Sequence, residues 1–316
     1  LALTLISDEA LVIINFLSII FLGVSIGLGL PSCLSFFADL TSIESRGLIS
    51  GIVWSSIGGT MLLFAFLMSI FTLQESIVFL ALWRLLGSFA FIFLTKGSFE
   101  NPIVQESLSY LDIIRKKDML LYLLPWIVFS IVNFAETPIL EKVFGTETFT
   151  FIGLIGYAII GVTAIIGGLT ADFLGRKRVV ILGFMMVGIE YAALSAFYNL
   201  PSIAYLFMVF DGITWGLFFP VFFMTVWGDL GEQYAKEKYY ALGGLPFLLA
   251  NFASILVRPY VEVIPPSAAF SFAAFFLFLA VVPLMYAPET LPERVIRERE
   301  LKRYIEKAKR IKEKYS

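Results

Sequence analysis

Residues Gly168–Arg178 read GLTADFLGRKR. The stretch sets Asp172 between two glycines, Gly168 and Gly175, ends on three consecutive basic residues, and has a long apolar run on either side. A compact charged turn between two apolar segments is how two membrane-spanning helices are joined at a water-facing surface.

The composition agrees with a membrane as the solvent. Hydrophobic residues make up 59% and charged residues 15% of the chain, and mean hydropathy is +0.88; soluble domains carry about 25% charged residues. Nine apolar stretches are long enough to cross a hydrocarbon core of roughly 30 Å, near 10–36, 48–72, 76–95, 119–140, 149–171, 178–198, 201–227, 240–260 and 266–286. The runs are continuously apolar rather than alternating, which predicts helices and not a barrel, since a helix satisfies its own backbone in lipid. With one cysteine, Cys33, and no histidine, an internal disulfide is impossible and the common zinc sites are out of reach. No cofactor and no metal are expected.

If the spans alternate and the C-terminus is cytoplasmic, the inner segments are 37–47, 96–118, 172–178, 228–239 and 287–316. They hold twenty of the 23 Lys and Arg residues, a bias that orients the chain by the positive-inside rule. An internal repeat is also visible. Gly23, Gly27 and Pro31, each four apart, recur 189 residues later as Gly212, Gly216 and Pro220. Each copy runs into an acidic residue and a polar loop, Asp39 to Gly47 and Asp229 to Tyr239. Small residues four apart are common helix-packing surfaces in membranes, but the shared proline, acid and loop position point to a duplicated half.

The Gly168, Asp172, Gly175, Arg176 and Lys177 positions match in register the G-x-x-x-D-(basic)-x-G-(basic)-(basic) cytoplasmic loop of the major facilitator superfamily, and the chain resembles that family. Phe173 stands where a basic residue is usual. Ala38 to Gly47 resembles the acidic-to-Arg-Gly segment that opens the family's fifth helix, without its usual proline. Pro288-Glu289-Thr290 resembles the element that follows the last span in sugar-porter-like members, with Leu291-Pro292 in place of the usual Lys-Gly. The resemblance implies an all-α, polytopic bundle of two pseudo-symmetric six-helix halves, of which about nine transmembrane helices are present, corresponding to helices four to twelve. On that reading residues 1–95 are a partial N-terminal half, 96–118 the cytoplasmic central loop, 119–286 the C-terminal half and 287–316 a basic cytoplasmic tail. The expected N-terminal truncation would leave residues 1–316 able to insert but not to transport. Leu301, Tyr304, Ile305, Ala308, Ile311 and Tyr315 fall on one stripe of the tail, which predicts an amphipathic helix.

Polar groups within spans cost about 2.5–3.5 kcal/mol for a central charge and are functional candidates. Asp211 and Trp215 lie one turn apart, with Met208 and Phe218 on the same face, and the resemblance implies that this face looks into the central cavity. Asn133 and Glu136 lie three apart in the fourth span, and Asn251 near the middle of the eighth; these five are the expected substrate or ion site. The first-half equivalent of Asp211 is Leu22, so the repeat does not require an acid there. Arg84 and Glu190 fall on helices that support the family's bundle from outside and read as structural. The family's loop aspartate docks against the start of helix five, which here brings Asp172 to Arg46–Ser50. Gly168, Gly175, Arg176, Lys177, Arg46 and Glu289 would complete that gate.

Two function classes follow. The first is secondary transport of a small solute such as a sugar or organic acid by a plasma-membrane permease or symporter, with protons as the candidate coupling ion; efflux of drugs or other small molecules is the alternative within the family. The second is a non-transporting membrane sensor. An enzyme is not expected, since there is no histidine base, nucleophile elbow or nucleotide-binding loop. The expected partners are a small solute and the lipid bilayer, without nucleic acid, around a monomer.

Overall fold

The computed structural model describes residues 8–95, 108–231, 235–292, 295, 297, 301 and 305. Most of the tail stripe and of the 96–118 loop therefore lies outside the described residues. What is described is helical, in the order α1 (Asp8–Leu40), α2 (Arg46–Ile70), α3 (Leu73–Thr95), α4 (Tyr110–Arg115), α5 (Lys117–Phe144), α6 (Thr146–Leu174), α7 (Arg176–Phe197) and α8 (Ile203–Phe218). A π-helical segment, Phe219–Val226, carries α8 on into α9 (Trp227–Leu230). Then come α10 (Lys236–Val257), α11 (Pro266–Leu279) and α12 (Val281–Tyr286). Among the described residues nine helical segments are long and apolar enough to cross a membrane.

Single glycines make the sharpest reversals. Gly145 joins α5 to α6 at φ +79°, and Gly175 joins α6 to α7 at φ +101°. That region penalises a Cβ. At Gly175 a Cβ would also run into the Glu289 carboxylate. The short α4 opens on a capping box in which Ser109 and Asp112 bond each other's backbone N–H. Those hydrogen bonds from Ser109, side chain first, hold the exposed Asp112 carboxyl below its ordinary pKa.

The core is aromatic and sits where α5, α7, α8 and the π segment meet. Trp126 is stacked on Phe129 and Phe222, and Phe184 and Phe218 close around them. The buried Trp126 indole donates to the Gly243 carbonyl at 2.8 Å, so the one polar atom of this cluster is satisfied. The π register begins beside Pro220, which has no N–H for an α-helical bond, and the Thr225 hydroxyl donates to the Pro220 carbonyl five residues back at 2.5 Å.

The first three helices meet the rest along two lines. α1 lies against α10, and α2 crosses α6 at backbone contact. Gly47, Gly51 and Gly58 of α2 face Gly168, Ala164 and Gly161 of α6, and a Cβ at Gly58 would come within 2.7 Å of the Tyr157 carbonyl. Without a hydrophobic drive between helices in lipid, such small-residue seams supply van der Waals contact instead. The two copies of the Gly-Gly-Pro repeat are not packed alike. Gly212 and Gly216 press on Ile159 and Thr163 of α6, whereas nothing lies within 4 Å of a Cβ at Gly23 or Gly27.

Candidate functional site

The start of α2 needs an anion, because the first N–H groups of a helix have no partner within it. Its N-cap residue, Ser45, makes no side-chain cap. Asp172, at the end of α6, does so from across the seam: its carboxylate accepts from the N–H of Gly47 at 2.9 Å and of Leu48 at 2.7 Å. Gly168 and Gly47 make this possible, since a Cβ on either would collide with the other helix's backbone.

Two arginines complete the cluster. Arg176 is fully buried and makes a pair with Asp172 at 2.6 Å, another with Asp229 at 3.3 Å, and bonds to the carbonyls of Ala171 (2.8 Å) and Ile43 (2.7 Å). Arg46 is paired with the other oxygen of Asp229 and donates to the carbonyls of Ala38 (2.6 Å) and Thr41 (3.1 Å). Each buried charge thus faces an opposite charge and further hydrogen bonds, which is what keeps such a cluster from being destabilising. Glu289 accepts from the backbone N–H of Arg176 at 2.7 Å and of Lys177 at 3.2 Å, and the Lys177 ammonium donates to the Met285 carbonyl at 2.8 Å. Phe173, at the position where a basic residue is usual, is 49% exposed.

Asp229 bridges both guanidiniums and also accepts from Thr290 at 3.4 Å, yet it was not among the expected gate residues. Its place after the second Gly-Gly-Pro copy was the available signal. The same end of the bundle carries a second strap, where α1 meets α10: Lys236 pairs with Asp39 at 2.5 Å and Ser32 donates to Glu237.

Within the spans the expected set is only partly drawn together. Trp215 is buried, in ring contact with Phe129 (5.0 Å), Phe219 (4.6 Å) and Phe247 (5.7 Å). Phe218, expected on a cavity face with Asp211 and Trp215, is instead fully buried against Phe129 and Phe184. The reason is the glycine strip: Gly212 and Gly216 dock on α6, and that turns the Asp211–Phe218 face inward toward α5 and α7. The aromatic face that meets α2 is one residue further round, where Trp54 stacks on Phe219 at 3.9 Å beside Phe223. Asn251 is exposed on α10, and Asn133 is half-buried with its carbonyl accepting from Thr137 at 2.9 Å. Glu136 is buried. Arg84 donates to Ser25 of α1.

Compared with known proteins, the chain matches no family model and no curated protein.

Proposed function

We propose that the protein works as a secondary transporter of the major facilitator superfamily, moving a small solute such as a sugar or organic acid across the plasma membrane by alternating access, with its C-terminus in the cytoplasm. The observation that carries the proposal is the capping of α2 by Asp172 from α6, locked by Arg176, Asp229 and Arg46. Such a contact is suited to a gate. It is strong when the helix ends meet, because a carboxylate gains both from the two N–H groups and from the positive end of the helix dipole. It also breaks into groups that water can solvate when they part. Asp39, Lys236, Ser32 and Glu237 would fasten the second seam at the same end in the closed state.

The stacked rings of Trp54, Trp215, Phe219 and Phe247 support a second reading, export of lipophilic cations, because aromatic faces attract a desolvated positive charge. Uptake of labelled hexose, dicarboxylate and lipophilic cation into proteoliposomes containing the intact protein tests both. A membrane sensor of the same ancestry would bind without accumulating any of the three.

A further inference from the structure

Glu190 lies on α7, seven residues from the end remote from the gate cluster, and it is fully buried. Neither oxygen of its carboxyl has a hydrogen-bond partner. A charge withdrawn from water without a partner costs several kcal/mol, so such a group persists only where something compensates it. α8 packs on α7 and brings a second acid, Asp211, beside Glu190. Glu136 on α5 is a third carboxyl in this part of the bundle. Glu136 is buried too, with one oxygen unpartnered. All three acids sit seven or eight residues from that end of their helices, a common depth of about 11 Å at 1.5 Å per residue.

No described cation answers them. The basic residues at that end, Lys142 and Arg258, are paired with Glu262 and Glu141. Of the other elements packed on α7, α11 and the π segment carry no ionisable group. Those of α6 are Glu147 and Asp172 at its ends and the exposed Tyr157, and α12 has only the exposed Tyr286. What is missing is a positive charge small enough to enter a packed interior. Among the described residues no three acids stand close enough to hold a metal ion, and a hard metal cation asks for about six oxygens. A proton needs only one carboxyl oxygen.

We propose that Glu190 and Asp211 form a coupled proton-binding pair, with Asp211 as the less buried member and Glu190 as the sealed one. That the proton is exchanged during transport rests on the function proposed above; that it binds there does not.

The test is carbodiimide labelling of the purified protein in lipid nanodiscs. Dicyclohexylcarbodiimide is apolar and reacts with protonated carboxyls in apolar surroundings, and peptide mass spectrometry reads the modified fraction of each acid against pH. Glu190 should be modified with a sigmoidal pH dependence. Because coupled sites titrate as a pair, Asp211→Asn should move the midpoint by about 1 pH unit or more, and Glu136→Gln by less. Absence of modification at Glu190 at every pH, or coincident midpoints with and without Asp211, would overturn the pair. If Asp211→Asn does not fold, Glu190→Gln read at Asp211 applies the same criterion. Labelling needs no solute, so the two ideas fail separately: a moved midpoint without uptake removes transport and keeps the pair, and uptake with an unmoved midpoint does the reverse.

Discussion

Replacing Asp172 by Asn keeps the size of the cap but removes its charge and one of its two accepting oxygens. The Asp172–Arg176 pair lies within one group of helices and survives separation from α2, so it drops out of the difference between closed and open. What counts are the two bonds from Gly47 and Leu48. A hydrogen bond to a charged group is worth about 1.5–3 kcal/mol and a neutral one about 0.5–1.5. The asparagine oxygen keeps one of the two bonds in neutral form, a loss near ~1 kcal/mol, while its NH2 cannot accept from the other N–H, so that bond, about 2 kcal/mol, is lost outright. The sum, about 3 kcal/mol, corresponds to roughly a 150-fold shift of the closed-to-open equilibrium. Ser50 reports on it well: it is fully buried on the first turns of α2, with Thr225 opposite at 3.5 Å. With the single native cysteine removed by Cys33→Ser, Ser50→Cys should react with a water-soluble maleimide in proportion to the open population. Asp172→Asn should raise that rate about 150-fold. A change of less than about threefold, under ~0.7 kcal/mol, would refute the reasoning that this carboxylate holds the helices together.

Gly175→Ala should lower the melting temperature of the purified protein, since a positive φ with an extended ψ is open almost only to glycine and costs an L-residue about 1–3 kcal/mol, and the new methyl meets Glu289; an unchanged melt would show that the turn can relax. Trp126→Phe removes the indole's hydrogen bond to the Gly243 carbonyl and should destabilise by about 0.5–1.5 kcal/mol, read as a lower midpoint on heating without loss of helicity beforehand. Asp211→Asn in the intact protein should abolish proton-driven accumulation while leaving solute exchange in place; unchanged accumulation would reject a coupling role for this acid.

The spans and the turn at Gly175 were legible because lipid leaves little choice: a run of about 20 apolar residues must be helical, and a charged turn must lie outside. The approach of Asp172 to the start of α2 was legible only through resemblance, since nothing in the spacing says which helix end a carboxylate will meet across 125 residues. Asp229 was hidden for a related reason. An acid at the end of a span looks like a group reaching for water, and only the assembled bundle sets Arg46 and Arg176 on either side of it. Periodicity grouped Asp211, Trp215 and Phe218 on one face, but the direction of that face was set elsewhere, by Gly212 and Gly216 docking on α6. Glu190 looked structural because its helix stands toward the outside of the expected bundle. Its unpartnered carboxyl and the nearby Asp211 are facts of packing that no spacing along α7 contains.

Solute counterflow tests alternating access most directly. Proteoliposomes holding the intact protein are preloaded with an excess of unlabelled solute and diluted into a trace of the labelled form. A carrier whose single site faces one side at a time should give a transient, saturable accumulation of label with at least one of the hexose, dicarboxylate and lipophilic-cation classes, without any ion gradient. Label that never rises above equilibrium for any of them would contradict the account.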